Sequence, residues 1–199
     1  MTFLSYFISG LSLGSIYAII ALGYTMVYGI AKMLNFAHGD VIMVGSYICF
    51  FAVSRWNLPP VVGVLLAMIL CTVLGVTIER LAYKPLRSAP SLSVLITAIG
   101  ISYFLQNAAQ LLWTSNPKVF PSIVGDGRLS ISVITIVTIA TCVVIMVALT
   151  WFTSKTRMGK AMRACSEDKG AAQLMGISVN HTISVTFAIG SALAAIAGV

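Results

Sequence analysis

Residues 10–47 read GLSLGSIYAIIALGYTMVYGIAKMLNFAHGDVIMVGSY. No charged side chain occurs before Lys32, and the uncharged run reaches back to Phe3. A bilayer core of about 30 Å is crossed by roughly 20 apolar residues in a helix. The run from Phe3 to Ile30 exceeds that length. At about 1.5 Å per residue it measures roughly 42 Å, so it must tilt or project beyond the core. The apolar pattern then breaks. Asn35, His38, Gly39 and Asp40 stand between two apolar runs. Polar groups and irregular backbone at membrane depth are tolerated only where protein buries them or a water-filled cavity takes them up. The break is therefore either an interrupted helix beside a translocation path or a short polar loop between two spans. The residues leave both open.

Working outward, the apolar segments repeat. Val41–Ser54 is short unless it borrows from Leu34–Asp40. Val61–Leu81 follows Pro59 and Pro60, and Val94–Trp113 and Ile131–Thr153 come next. A last run begins near Thr182 and is still apolar at Val199. This reads as one membrane domain over residues 1–199, an all-α polytopic bundle of about six spans. The last span is expected to be incomplete, so that the chain is truncated at its C-terminus.

Composition agrees. Of 199 residues 59% are hydrophobic and 9% charged, whereas a soluble domain carries roughly 25% charged residues. The net charge is +7, which raises the question of nucleic acid. The placement of the charges argues against that partner. They collect at Arg80, Lys84 and Arg87 and at Lys155, Arg157, Lys160, Arg163 and Lys169, between apolar runs. That is the positive-inside pattern, and it puts both loops on the cytoplasmic side of a cell inner membrane. The loop Thr114–Ser130, with Asn116, Pro117, Pro121, Gly125 and Gly127, is then expected outside. The four cysteines show no CxxC spacing, so neither a zinc site nor a redox pair is indicated.

Small residues recur four apart at Gly10, Gly14 and Ala18, at Gly63, Ala67, Cys71 and Gly75, and at Gly190, Ala194 and Gly198. Such stripes let helix backbones approach closely and indicate a packed bundle. Gln106 and Asn107 lie inside the fourth segment, where amides need partners across the bundle or along a path. The expected translocation set is therefore Asn35, His38, Asp40, Gln106 and Asn107. No GxxxxGK[ST] loop, GxSxG or HExxH occurs, so no catalytic residue, cofactor or metal site is expected in this chain. Asp40 and Glu79 fall at segment ends, so no carboxylate is expected in the middle of a span.

The loop 154–181 is the most informative polar stretch. Arg163–Met175 reads as a short helix stopped at Gly176. Its residues Ala164, Ala171, Ala172 and Leu174 offer a small apolar surface beside charged groups. Such a helix either docks in a partner's groove and transmits motion to the spans or is a solvated loop helix.

Several blocks together resemble a known family. Residues 10–47 resemble the N-terminal signature of the branched-chain amino acid ABC transporter permeases, and most of all the smaller, LivH-type member of the pair. ERLAYKPLRSAPSLSVLITAIGISYFLQN (79–107) is similar to the next family block. GKAMRACSEDKGAAQLMGISV (159–179) resembles the family's EAA-type coupling loop, and FAIGSALAAIAGV (187–199) the span that follows. The resemblance implies a second, LivM-type permease, two cytoplasmic ATPases that bind ATP and Mg, and a periplasmic binding protein. It also implies that Glu167, Ala171, Ala172 and Gly176, preceded by Arg163, dock on an ATPase. The expected function is import of branched-chain amino acids. Urea or short-amide permeases look similar over the same blocks. An ion-coupled carrier and an inactive membrane fragment are the remaining alternatives.

Overall fold

The computed structural model describes residues 2–87, 89–114, 116, 118 and 133–199. The described residues form eight α-helices and one π-helical turn. In chain order they are α1 (Thr2–Ala31), α2 (His38–Ser54), α3 (Pro60–Ile78), the π turn Glu79–Tyr83, α4 (Ser91–Trp113), α5 (Val133–Lys155), α6 (Arg157–Glu167), α7 (Lys169–Leu174) and α8 (Val179–Ala197). Five are long and apolar enough to cross a bilayer: Tyr6–Ala31, Pro60–Tyr83, Ser91–Trp113, Ile134–Lys155 and Val179–Ala197. Most of the expected outer loop, Thr114–Ser130, lies outside the described residues.

The direction of each helix follows from its contacts. The Lys169 ammonium of α7 donates to the Ala31 carbonyl at the end of α1, at 2.7 Å. Arg87, just past the π turn, donates to Asn180 at the start of α8. These elements share one end of the bundle with α6, and most of the basic residues collect there. We call it the basic end. Helices α1, α3 and α5 run toward it, and α2, α4 and α8 run away.

α8 holds the centre. Of its apolar window 56% is buried, against 22% or less for the other spans. It packs on α1, α2 and α3. Apolar surface alone does not draw helices together in lipid, because acyl chains are as apolar as leucine; close van der Waals packing does. The small residues supply it. An added Cβ at Gly75 of α3 would overlap the Ser191 side chain of α8. One at Gly190 would stand 2.6 Å from Val27 of α1, and one at Gly45 of α2 3.0 Å from Ala195.

Two of the three small-residue stripes are used in this way. The third is not: a Cβ at Gly10 or Gly14 would meet nothing within 4 Å. The half of α1 that carries them lies away from the α8 contact, which begins near Gly23.

α2 has 17 residues, about 26 Å of helix, and it borrows only His38, Gly39 and Asp40 from the polar break. Its first turn does not begin at the basic end. His38 packs on Gly23 of α1, which lies about 12 Å along the helix from Ala31. The Cys71 thiol of α3 lies 3.6 Å from the Val41 carbonyl. The segment after α1 therefore turns back into the bundle, and α2 starts inside it.

Gly75→Leu should drive α3 from α8, at a cost of at least about 1–3 kcal/mol. Thermal unfolding in detergent should show a lower midpoint than the parent. Gly100→Leu, where a Cβ meets nothing within 4 Å, should change it little.

Candidate functional site

Two polar assemblies stand out. The first is the basic end. Thr156 caps α6, its hydroxyl accepting from the Gly159 N–H at 2.9 Å. Gly159, Met162 and Cys165 form the buried face of α6. Cys165 is thus a packed core residue, although it falls within the polar stretch 154–181.

The expected helix Arg163–Met175 is in fact two. Asp168 adopts extended backbone, φ −148° and ψ 115°. Its carboxylate accepts from the Gly170 and Ala171 N–H groups at 2.7 and 3.1 Å, ending one helix and starting the next. At the far end Gly176 takes φ +81°. Its N–H donates to Gln173 O and that of Ile177 to Ala172 O, both at 3.0 Å. This is a Schellman stop, in which a residue with a Cβ is strained.

The proposed docking residues separate. Arg163, Glu167, Ala171 and Gly176 are exposed, whereas Ala172 is buried in this chain's own core beside Met162 and Val179. Ala172 anchors the hairpin and presents no surface. Leu174 and Met175, 90% and 82% exposed, stand next to the exposed set. Sequence reasoning overlooked Met175; the signal available was a large apolar residue directly before a helix-stopping glycine.

Beneath the hairpin, Glu79 has no exposure at all and pairs with Arg87. The Ser184 hydroxyl donates to its other oxygen at 2.7 Å. Asn35 belongs to this end: its Oδ1 accepts from the buried Tyr83 hydroxyl at 2.9 Å. Burial holds the Lys169 ammonium below its ordinary pKa, and the nearby charges of Arg87 and Lys32 push the same way.

The second assembly is the first turn of α2. His38 and Asp40 are 4% and 7% exposed. The His38 ring stands edge-on to Tyr24 at 5.9 Å. Gln106 of α4 donates to Asp40 Oδ1 at 3.0 Å and to Ser102 Oγ at 3.1 Å. His38 Nε2 and Asp40 Oδ2 are buried without a hydrogen-bond partner among the described residues. Asp40 is thus a carboxylate at bundle depth, although it heads a helix. It stands at a segment end, as expected, but that end lies inside the bundle because α2 starts there.

Of the expected path residues, Asp40 and Gln106 meet, whereas His38 turns to Gly23 and Tyr24 of α1. Asn35 joins the basic end, and Asn107 is exposed on α4, donating to its own helix at Tyr103 O, 2.7 Å. Among the described residues no group of three His, Cys, Asp or Glu side chains is placed to hold a metal ion.

Five helices long and apolar enough to cross a bilayer, with a re-entrant polar turn and a capped helical hairpin at the basic end, make this a multi-pass membrane protein. The chain belongs to the family described as branched-chain amino acid transport system, permease component, which it matches over residues 6–199. It is 44% identical to the high-affinity branched-chain amino acid transport system permease protein BraD of Pseudomonas aeruginosa, over 99% of this chain and 70% of that one. It is 43% identical to the corresponding protein LivH of Escherichia coli K12, over the same shares. A probable LivH permease of Methanocaldococcus jannaschii is 26% identical over 90% of this chain and 60% of that one. No solved structure matches.

Gln106→Leu leaves Asp40 without its amide donor and should cost about 2 kcal/mol, read as a lower unfolding midpoint. Asn107→Leu gives up only a bond to its own helix and should stay within about 0.5 kcal/mol of the parent. Equal losses would show that Gln106 does not hold Asp40.

Proposed function

We propose that this permease passes branched-chain amino acids across the cell inner membrane as the translocation subunit of an ATP-driven importer. A second, LivM-type permease completes the pore, two cytoplasmic ATPases bind ATP and Mg, and a periplasmic protein delivers the substrate. The observation that carries this reading is the α6–α7 hairpin. It exposes Arg163, Glu167, Ala171, Leu174 and Met175 on a rigid, doubly capped frame. Lys169 ties that frame to the end of α1, and Met162, Cys165 and Ala172 seat it in the core next to α8. A partner that pushes on the exposed face moves the ends of two spans. The substrate class rests on the relatives, which carry branched-chain amino acid transport in their names.

In this scheme Asp40, His38 and Gln106 line the path. A polar group inside a bilayer is retained where it meets substrate, water or a partner, and two of the three have an unpaired atom. Asn107, polar on an outer face of an apolar span, then faces the second permease rather than lipid. The Asp40 carboxylate also fits an ion-coupled carrier, which uses such groups. The hairpin has no role in that alternative, and urea or short amides find no support among the relatives' names.

The test is uptake of leucine by the full-length protein assembled with its ATPases and binding protein in proteoliposomes. Uptake should require ATP and be competed by isoleucine and valine. Uptake driven by an ion gradient without ATP would establish the carrier instead. Glu167→Arg should lower binding-protein-stimulated ATPase activity at least about tenfold at unchanged permease abundance, equivalent to about 1.4 kcal/mol of coupling. Parent-level activity in that variant would remove the docking role of the hairpin.

A further inference from the structure

A cavity of about 310 Å³ opens at the basic end, between the last turn of α1, the residues after the π turn, the start of α4 and α7. It has room for about ten waters. Lys32, Arg87 and Lys169 line it, with no acidic side chain among its lining residues. Glu79 lies behind Arg87, so three cations meet one carboxylate. Arg87 spends its terminal nitrogens on Glu79 and Asn180, which leaves its buried Nε–H without an acceptor. Lys32 has no side-chain partner among the described residues, and φ of +56° at that position turns the chain away from α1 beside the cavity. Ser91 adds a hydroxyl, and an apolar wall is made by Tyr28, Met33, Leu34, Leu86, Val94 and Leu95.

We infer that this cavity binds the phosphate of an anionic phospholipid, with the upper part of its acyl chains along the apolar wall. Charge complementarity favours an anion, because three cations line the cavity and no acidic side chain does. Burial and the neighbouring cations already disfavour the charged form of Lys169, and a bound phosphate relieves that. The apolar wall favours a lipid over a free ion. So does the position, since helix ends lie at the headgroup level and basic pockets between spans suit anionic headgroups. The inference needs only that the helices cross a bilayer, and it stands apart from the choice of substrate.

The test uses the assembled full-length transporter in detergent, re-lipidated with phosphatidylglycerol or phosphatidylcholine and examined by native mass spectrometry after delipidating washes. Phosphatidylglycerol should survive the washes and phosphatidylcholine should not. Lys32→Gln removes a cation without touching the ties of Arg87 or Lys169, and should weaken retention roughly fivefold. Lys84→Gln, exposed at the same end and outside the cavity, should leave it unchanged. Equal retention of both lipids, or equal effects of the two variants, would overturn the inference. Displacement of the lipid by low-millimolar inorganic phosphate or glycerol phosphate would also overturn it, and would assign the cavity to a soluble anion.

Discussion

The close approach of α8 to its neighbours governs the rest of the structure. Lipid gives two helices no hydrophobic reason to associate, so contact distance decides the packing. Gly75 lets Ser191 in against α3, Gly190 lets α8 meet α1 at Val27, and Gly45 lets α2 meet Ala195. With α8 seated, its first turns lie beside the π turn and under α6, where Thr182, Ile183, Thr186 and Phe187 are buried. The ring of Phe187 packs 5.4 Å from Tyr83, and Tyr83 in turn holds Asn35. The re-entrant segment thus depends, through two side chains, on the placement of α8.

The basic end ties several elements of the molecule together. A buried ion pair such as Glu79–Arg87 adds little net stability, because desolvating both charges offsets their attraction. Its value here is connection: Asn180 and Ser184 of α8 bond to the same pair that closes the π turn. Lys169 extends the connection to α1 through a carbonyl at the helix end, the place where a cation also meets the favourable end of the helix dipole. A displacement of α7 therefore reaches α1 directly and α8 through shared packing.

Inside the bundle the first turn of α2 keeps unpaired polar atoms at a depth where an unpaired group is costly. Structural polar residues in spans are normally satisfied, as Thr182 and Thr186 are by carbonyls of their own helix. His38 and Asp40 differ, each keeping one buried polar atom without a partner among the described residues. The Asn35 side-chain oxygen is satisfied, accepting from Tyr83.

The sequence alone determined the five long spans, the asymmetry of basic charge and the hairpin's glycine stop. Each rests on local chemistry: an apolar run long enough for a bilayer, a lysine or arginine count, a residue free to take positive φ. It also carried the family, through long blocks in order. What it left open were questions of depth and facing. The residues of Asn35–Asp40 do not say whether they lie at the surface or within, because depth is set by contact with Gly23 of the preceding helix, itself packed on Gly190 far along the chain. The break at Asp168 depended on a side chain choosing the next helix's N–H groups over continuing its own. Ala171 and Ala172 are the same residue type side by side, and only packing against Met162 and Val179 turns one inward and leaves the other exposed. The cavity at the basic end draws Lys32, Arg87 and Lys169 from three separate stretches. No spacing within the chain records that meeting, since it is made by the folding of α1, α4 and α7 onto one end.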